Sequence, residues 1–483
     1  MVLCVSLCVT LCSIFKSISL FLIMTPTTHT NTQKAVLTVA TLTSFLGPFL
    51  ISSVNIALPA IEKEFALNAV SLTWIVTSYL LSSAIFLLPI GRLADLKGEV
   101  KLFKLGMVIF ALATFLCGLS PTGMLLIGMR VLQGLGAAMT MTTGAPLLIS
   151  AFPPSERGKV LGFNVAAVYL GLAMGPFVGG ILTQHLGWRA IFLFSSVLGL
   201  FGVLFTFLKL KNIPSSKSTG KFDYTGALLY GSALLLIVYY SSHLHAATGF
   251  ALLALGISLL LLFVVQCGRS AHPLFDTALF TKNRLFAFSN LAALINYSTT
   301  ASIIFLMSLF LQKVKGLSPQ AAGAILISQP LVMAILSPYA GKLSDRIEPR
   351  ILATTGMFLN AVGLLFLAFV NQDTPQPLIV AVLLFMGFGF ALFSSPNMNT
   401  IMSSVEKRQL GTASGTASTM RIVGQMISMT LVMLIFSARF HGAQIAQVQN
   451  EMFVGTAQFV YLVFAALCMV GVYFSYSRGN MHK

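Results

Sequence analysis

Acidic residues are scarce in this chain, with twelve Asp and Glu in 483 positions against 29 Lys and Arg, and charged residues make up only 8% of it. Soluble domains are about a quarter charged, so an ordinary water-facing surface is excluded. The six cysteines, Cys4, Cys8, Cys12, Cys117, Cys267 and Cys468, show no CxxC or Cys/His ligand spacing, and neither a metal site nor a disulfide framework is indicated. The Gly-rich, Lys-bearing phosphate loop is absent, and no Ser/His/Asp cluster lies inside an apolar run. No cofactor is implied, and a polytopic membrane enzyme stays a remote alternative. The net charge of +17 would suggest nucleic acid in a soluble protein, but there is no basic arm or interleaved aromatic patch. The bases occupy short gaps between apolar runs, which points to the anionic face of a bilayer.

What the chain has in abundance is apolar length. Hydrophobic residues are 57% of the total, and mean hydropathy is +0.90. A spanning helix needs roughly 20 mostly apolar residues, and fourteen such runs follow residue 35. Six lie in 35–208, two in 224–267 and six in 285–476. The runs are continuous instead of alternating, so the expected class is an all-α polytopic membrane protein. Placing the segment before residue 35 on the cytoplasmic side puts 22 of the 29 bases in inner gaps, five (Lys63, Arg189, Lys313, Lys315, Arg439) in outer gaps, and Arg130 and Arg421 inside spans. Cytoplasmic gaps collect Lys and Arg, so both ends of the fourteen-helix body are expected inside.

The body repeats itself. Gly91, Arg92, Leu93 and Asp95 in "GRLADLKGEVK" correspond to Gly341, Lys342, Leu343 and Asp345 in "GKLSDRIEPR" at an offset of 250, and Gly158 and Gly162 correspond to Gly411 and Gly415 at 253. The expected organisation is an N-terminal six-helix half (35–210), a two-helix linker with flanking loops (211–284) and a C-terminal six-helix half with a short tail (285–483). Parallel six-helix halves place a solute site near the midplane between them. Residues 1–34 do not fit this plan, and three readings stay open: an upstream extension with initiation at Met24, a fifteenth helix, or an interfacial or signal-like segment.

"GRLADLKGEVK" resembles the loop signature of the major facilitator superfamily. "RVLQGLG" (130–136) resembles its fourth-helix motif and "GLAMGPFVGG" (171–180) its exporter-type fifth-helix motif. "SSVNIALPAI" (52–61) resembles the first helix of the fourteen-span drug:proton antiporter branch. The resemblance implies a major facilitator fold of fourteen helices. It further implies an antiporter of the multidrug-efflux type in a bacterial-type inner membrane, exporting small amphiphilic compounds by alternating access as a monomer, with protons as the coupling ion. Residues then take expected roles. Gly91, Arg92, Asp95, Gly98, Lys101, Asp345 and Arg346 would form a reversible cytoplasmic gate, although Leu96 stands where the family usually has a base. Gly171, Gly175, Gly179 and Gly180 with Pro176 would let helices approach and bend.

Arg130 with Gln133, and Arg421 with Gln425, are polar pairs inside spans and should face protein or water. Ser52, Asn55, Asn164, Asn290, Asn296, Tyr297, Gln329, Asn397 and Asn399 are the other candidate liners of a solute or coupling path, each equally readable as an interhelical hydrogen bond. The twelve acids all fall in gaps or at span ends, and Leu50 occupies the first-helix position where the resembled branch commonly carries Asp. A buried group that changes charge is what proton-coupled export of cations requires. The embedded charges here are positive, so neutral or anionic solutes fit better. An exporter or facilitator of a neutral or anionic metabolite, with weak or no proton coupling, is the alternative. From the gate reading, Asp95→Asn is expected to preserve insertion but slow transport several-fold, with Glu99→Gln milder; equal, mild effects of both on flux would indicate a merely solvated loop.

Overall fold

A computed structural model describes residues 30–153, 156–210, 221–241, 247–270, 272–406 and 409–480. The segment over which the three N-terminal readings compete lies outside the described residues up to position 29. Thr30 opens the first helix with a reciprocal cap: its Oγ1 accepts from the Gln33 N–H at 3.2 Å, and the Gln33 side chain accepts from the Thr30 N–H at 2.9 Å. The helix therefore starts at Asn31, inside the stretch assigned to the extension.

Among the described residues, fourteen helices are long and apolar enough to cross a membrane. The first half holds α1 (Asn31–Phe65), α2 (Ala69–Lys97), α3 (Glu99–Gly118), α4 (Gly123–Ala151), α5 (Val160–Leu186) and α6 (Arg189–Lys209). Next come α7 (Tyr224–Ser241) and α8 (Gly249–Arg269). The second half holds α9 (Arg284–Val314), α10 (Pro319–Leu343), α11 (Pro349–Leu367), α12 (Gln376–Ser403), α13 (Leu410–Phe440) and α14 (Asn450–Ser477). Within each half, short connections join successive spans. An even number of crossings returns both ends of the body to one face, called here the basic face for the Lys and Arg that crowd it; the opposite is the far face.

Packing repeats along with sequence. Within the first half α1 packs on α5, α2 on α4, and α3 on α4 and α6; within the second, α9 packs on α13, α10 on α12, and α11 on α12 and α14. The residues that permit this recur at the sequence offsets. Gly171 brings α5 to the backbone of α1, and Gly424, 253 residues on, brings α13 to that of α9. Gly106 and Gly136 join α3 to α4 as Gly356 and Gly389 join α11 to α12. Side chains larger than hydrogen would collide at each crossing, which is how helices without a hydrophobic drive between them pack in lipid. The halves meet along two seams, α2 with α13 and α5 with α10, and the same repeat relates these two. α1 and α9 also touch where Ser308 Oγ donates to the Asn55 carbonyl at 2.7 Å, a contact between positions 253 apart. Equivalent positions thus meet on the axis that relates the halves.

The two linker helices pack on each other, and α7 leans on α2 and α13. Tyr230 donates to the Ala84 carbonyl at 3.2 Å, and Tyr239 lies against Trp74. Most of the α8 surface stays outside the protein core, as suits a helix facing lipid. α9 is irregular: its first helix ends at Thr300, and its far end, Phe310–Val314, winds as a π-turn. The interrupted backbone is satisfied from α13, where Ser428 Oγ accepts the Ser302 N–H at 3.2 Å.

Candidate functional site

The far face is closed by contacts between the halves. A Cβ on Gly180 would fall 2.5 Å from the Pro319 carbonyl oxygen, and one on Gly323 would strike the Pro176 carbonyl, so α5 and α10 touch through their backbones. Gln184 and His185 both meet Gln320, Gln312 Nε2 donates to the Ile56 carbonyl at 3.0 Å, and the Ala69 N–H donates to the Ala443 carbonyl at 3.0 Å. Gly171, Gly175 and Gly179 face α1 instead, where Ser53 Oγ donates to the Gly175 carbonyl at 2.9 Å and Ser52 Oγ to the Leu172 carbonyl at 3.2 Å. The fifth-helix motif thus closes one crossing inside a half and, through Gly180, one between halves.

The basic face is open. Gly162 on α5 and Gly411 and Gly415 on α13 are exposed, and a Cβ on any of them would meet nothing within 4 Å. Asp95, Lys101, Asp345 and Arg346 are also exposed, and none has an ion pair among the described residues. The expected gate is therefore disengaged in this state. Gly98 turns the chain between α2 and α3 at a φ of 97°, a conformation that favours glycine. Gly91 has open space beside it, and the Arg92 Nε is buried without a partner.

Between closed and open ends lies a polar cluster. Tyr169 on α5 shares a 2.6 Å hydrogen bond with Ser394 on α12, across the halves. Arg421 on α13 is partly exposed, forms no hydrogen bond or ion pair among the described residues, and lies within electrostatic reach of the Tyr79 and Tyr169 hydroxyls. Tyr297 on α9 interacts with Tyr169 and stands edge-on to Phe390 at 5.6 Å. Gln425 lies one turn beyond Arg421, its Oε1 without a partner. Arg421 is eleven residues into α13, roughly 16 Å from the basic end and so near the middle of a ~30 Å core. Tyr169, Tyr297, an amide and an unpaired guanidinium can stack on a planar solute and bind its oxygens, with Tyr79 fully buried behind them; among the described residues no carboxylate joins them.

Arg130 is differently placed. It is fully enclosed, its Nε donating to the Ile75 carbonyl at 3.0 Å and its Nη1 to Gln133, which in turn donates to Thr114 at 2.7 Å. The guanidinium lies over the Tyr79 ring at 4.4 Å. One nitrogen, Nη2, has no partner. Arg130 thus ties α4 to α2 behind Tyr79 and does not meet the open side.

Most other candidates are structural in this state. Asn164 accepts from Ser44 at 2.7 Å, Asn296 accepts from Asn360, and Asn399 donates to Ser344. Asn290 caps back on its own helix, Gln329 is buried beneath α12, and the Asn55 amide oxygen is buried without a partner. Asn397 donates to the Ser289 carbonyl and accepts from Arg478 at 2.7 Å. Arg478, just past α14, also donates to the Pro349 carbonyl at 2.6 Å; burial pulls its guanidinium down to about 10, which leaves it charged at neutral pH. Leu50 is fully buried in the apolar core that runs through both halves.

Sequence reading missed Tyr79, Tyr169 and Arg478, and it counted Glu62 among the peripheral acids. Glu62 lies within α1 and is only 5% exposed. The intrahelical run "ALPAIEKEF" carried that signal, because α1 continues past the acid to Phe65.

Comparison with known proteins places this geometry. The model of the Major Facilitator Superfamily matches residues 40–282 and 289–482. The riboflavin transporter RibZ of Clostridioides difficile (strain 630) is 31% identical over 427 residues, 87% of this chain and 92% of that protein. The multidrug resistance protein Stp of Mycobacterium tuberculosis (strain ATCC 25618 / H37Rv) is 31% identical over 394 residues, 80% of this chain and 72% of that protein. Among solved structures, a bacterial homologue of the human lysosomal transporter Spinster, inward-facing and unoccupied, superposes with a TM-score of 0.68 at 15% identity, covering 92% of this chain and 97% of that one.

The two embedded arginines are separable by experiment. Arg130→Ala orphans the Ile75 carbonyl and Gln133 and is expected to cost about 1–3 kcal/mol of stability. Arg421→Ala breaks no such bond, should stay within about 0.5 kcal/mol of the parent, and should nevertheless abolish stabilisation by a bound solute. Thermal unfolding of the purified variants, with and without solute, checks both.

Proposed function

We propose that this chain, which belongs to the Major Facilitator Superfamily of membrane transporters, exports small amphiphilic compounds by alternating access, with its basic face in the cytoplasm. The orientation rests on the gathering of Lys and Arg on that face. The observation that carries the solute class is the unpaired Arg421 beside the partly exposed Tyr169 and Tyr297, with no carboxylate beside it among the described residues. A cation would meet like charge there and find no counter-ion. A neutral or anionic aromatic would find stacking faces, hydroxyls and a guanidinium that presents donors to an oxygen anion. The relative named a riboflavin transporter supports a planar, polyhydroxylated solute, and the relative named for multidrug resistance supports breadth.

The cycle follows from the closed and open faces. Solute enters from the basic side, reaches Arg421 and bridges the halves where Tyr169 already bonds to Ser394. Closing the basic side then brings the open glycines of α5 and α13 toward the opposite half, while the α5–α10 backbone contact on the far side releases. A solute shifts this equilibrium only by its preference for one state over the other. Asp95 and Asp345, unpaired while the basic face is open, are available to latch it once shut.

Coupling to a carried proton has no embedded acid at the solute cluster to work through. Flux in proteoliposomes, with and without an imposed pH gradient, tests this reading across neutral, anionic and permanently cationic aromatic compounds. Movement of neutral or anionic compounds down their own concentration gradient, with no uphill accumulation driven by the pH gradient and weak movement of cations, is expected. Strong gradient-driven efflux of cations would contradict the solute class, and no movement of any compound would contradict transport.

A further inference from the structure

Among the described residues, Glu62 is the one acid buried within a membrane span, and it sits where the halves meet on the far face. Its Oε1 accepts the N–H of Ala446 at 2.7 Å; Ala446 belongs to the short turn between α13 and α14, in the other half. The carbonyl of the same residue accepts from Lys313 Nζ of α9 at 3.1 Å. Ala446 is thus held between a carboxylate from the first half and an ammonium from the second. Beside it, Gln444 Nε2 donates to the Ala66 carbonyl at 3.1 Å, and the Ala69 N–H donates to the Ala443 carbonyl at 3.0 Å. Of these links, the Glu62 bond alone has a side-chain partner in the first half that can change its charge.

Other charges nearby are engaged or exposed. On α1, Lys63 and Glu64 are exposed, and Glu64 pairs with Arg189 at the start of α6. Lys315, just past the π-turn of α9, donates to the Gln372 and Thr374 carbonyls, and Arg439 of α13 lies over the Phe459 ring. His441 closes α13 and Glu451 opens α14, both exposed. Lys313 is the charge whose field acts on Glu62.

Resting on the transporter reading above, we propose that Glu62 is the strut through which protons act on the transport cycle. As a carboxylate it holds the far gate shut against the Ala446 N–H. When one proton from the far-side solution joins it as an O–H, the charge-assisted bond is lost and the gate opens. A hydrogen bond to an ionised acceptor is roughly twice as strong as one between neutral groups, so neutralisation weakens the clasp without removing any atom. The proton returns to the same solution when the gate recloses. Far-side pH therefore sets how often the gate opens, with no proton carried across.

Cysteines introduced by Ala66→Cys and Gln444→Cys, bridged with a short bifunctional thiol reagent in proteoliposomes, report closure directly. Cys117, Cys267 and Cys468 are buried and stay in place. Stepping far-side pH from about 8 to about 5, across the range in which carboxylates and His titrate, should lower the crosslinked fraction at least threefold. The same step on the basic side should change it little. Adding Glu62→Gln should give a low fraction at both pH values, whereas His441→Gln should keep the response. A crosslinked fraction indifferent to far-side pH overturns the proposal, as does a response that survives Glu62→Gln and vanishes in His441→Gln. The gate readout needs no solute, so vesicles that move nothing yet show the pH response would count against the transporter reading alone.

Discussion

Backbone contact between α5 and α10 is the constraint on which the rest of this structure depends. Two helices come this close only where side chains are missing, and Gly180 and Gly323 supply the gaps, each set against a carbonyl of the opposite helix. Once that crossing is shut, the polar links at Gln184, Gln312, Glu62 and Ala443 lie within reach of their partners, and the far ends of the halves cannot separate. The basic ends are left apart. A dispersion-packed seam of this kind is either made or unmade, since small gaps forfeit much of its attraction. That is the behaviour a two-state carrier requires.

The second constraint is charge. A low-dielectric core penalises ions, and the chain answers by holding almost all of its few acids at the faces. The embedded cations break the internal repeat: at the 253 offset Arg130 corresponds to Leu383, and Arg421 to Val168. Packing glycines recur between halves and the charges do not, so the repeat reports the scaffold and its violations report chemistry. Of the two violations, Arg130 is absorbed by Ile75, Gln133 and the Tyr79 ring, and Arg421 is left for a solute.

Much of the scaffold was legible in the sequence because the bilayer leaves few alternatives to a long apolar helix. The fourteen runs could be counted, and the 250 and 253 offsets anticipated the repeated packing of glycines. Helix rotation was not legible. Asn164, Asn296 and Asn397 read equally as solute liners or interhelical hydrogen bonds, and the fold makes each the latter, while nothing in the sequence singled out Tyr79 and Tyr169, which lie within electrostatic reach of Arg421. Nothing in the sequence singled out Arg478; the fold shows it clamping Asn397 and the Pro349 carbonyl. A one-dimensional pattern carries helix existence, but the facing of a residue in a helix apolar on all sides is set by its neighbours.

The central claim is that the two faces open in opposition about the seam. Spin labels placed as pairs, Gly162 with Gly415 on the basic face and Gln184 with Gln320 on the far face, allow both separations to be measured by pulsed electron resonance in the same lipid preparation. The account predicts that conditions which lengthen the far-face distance shorten the basic-face one in the same fraction of molecules. Distances that change independently, or both lengthen together, would contradict it.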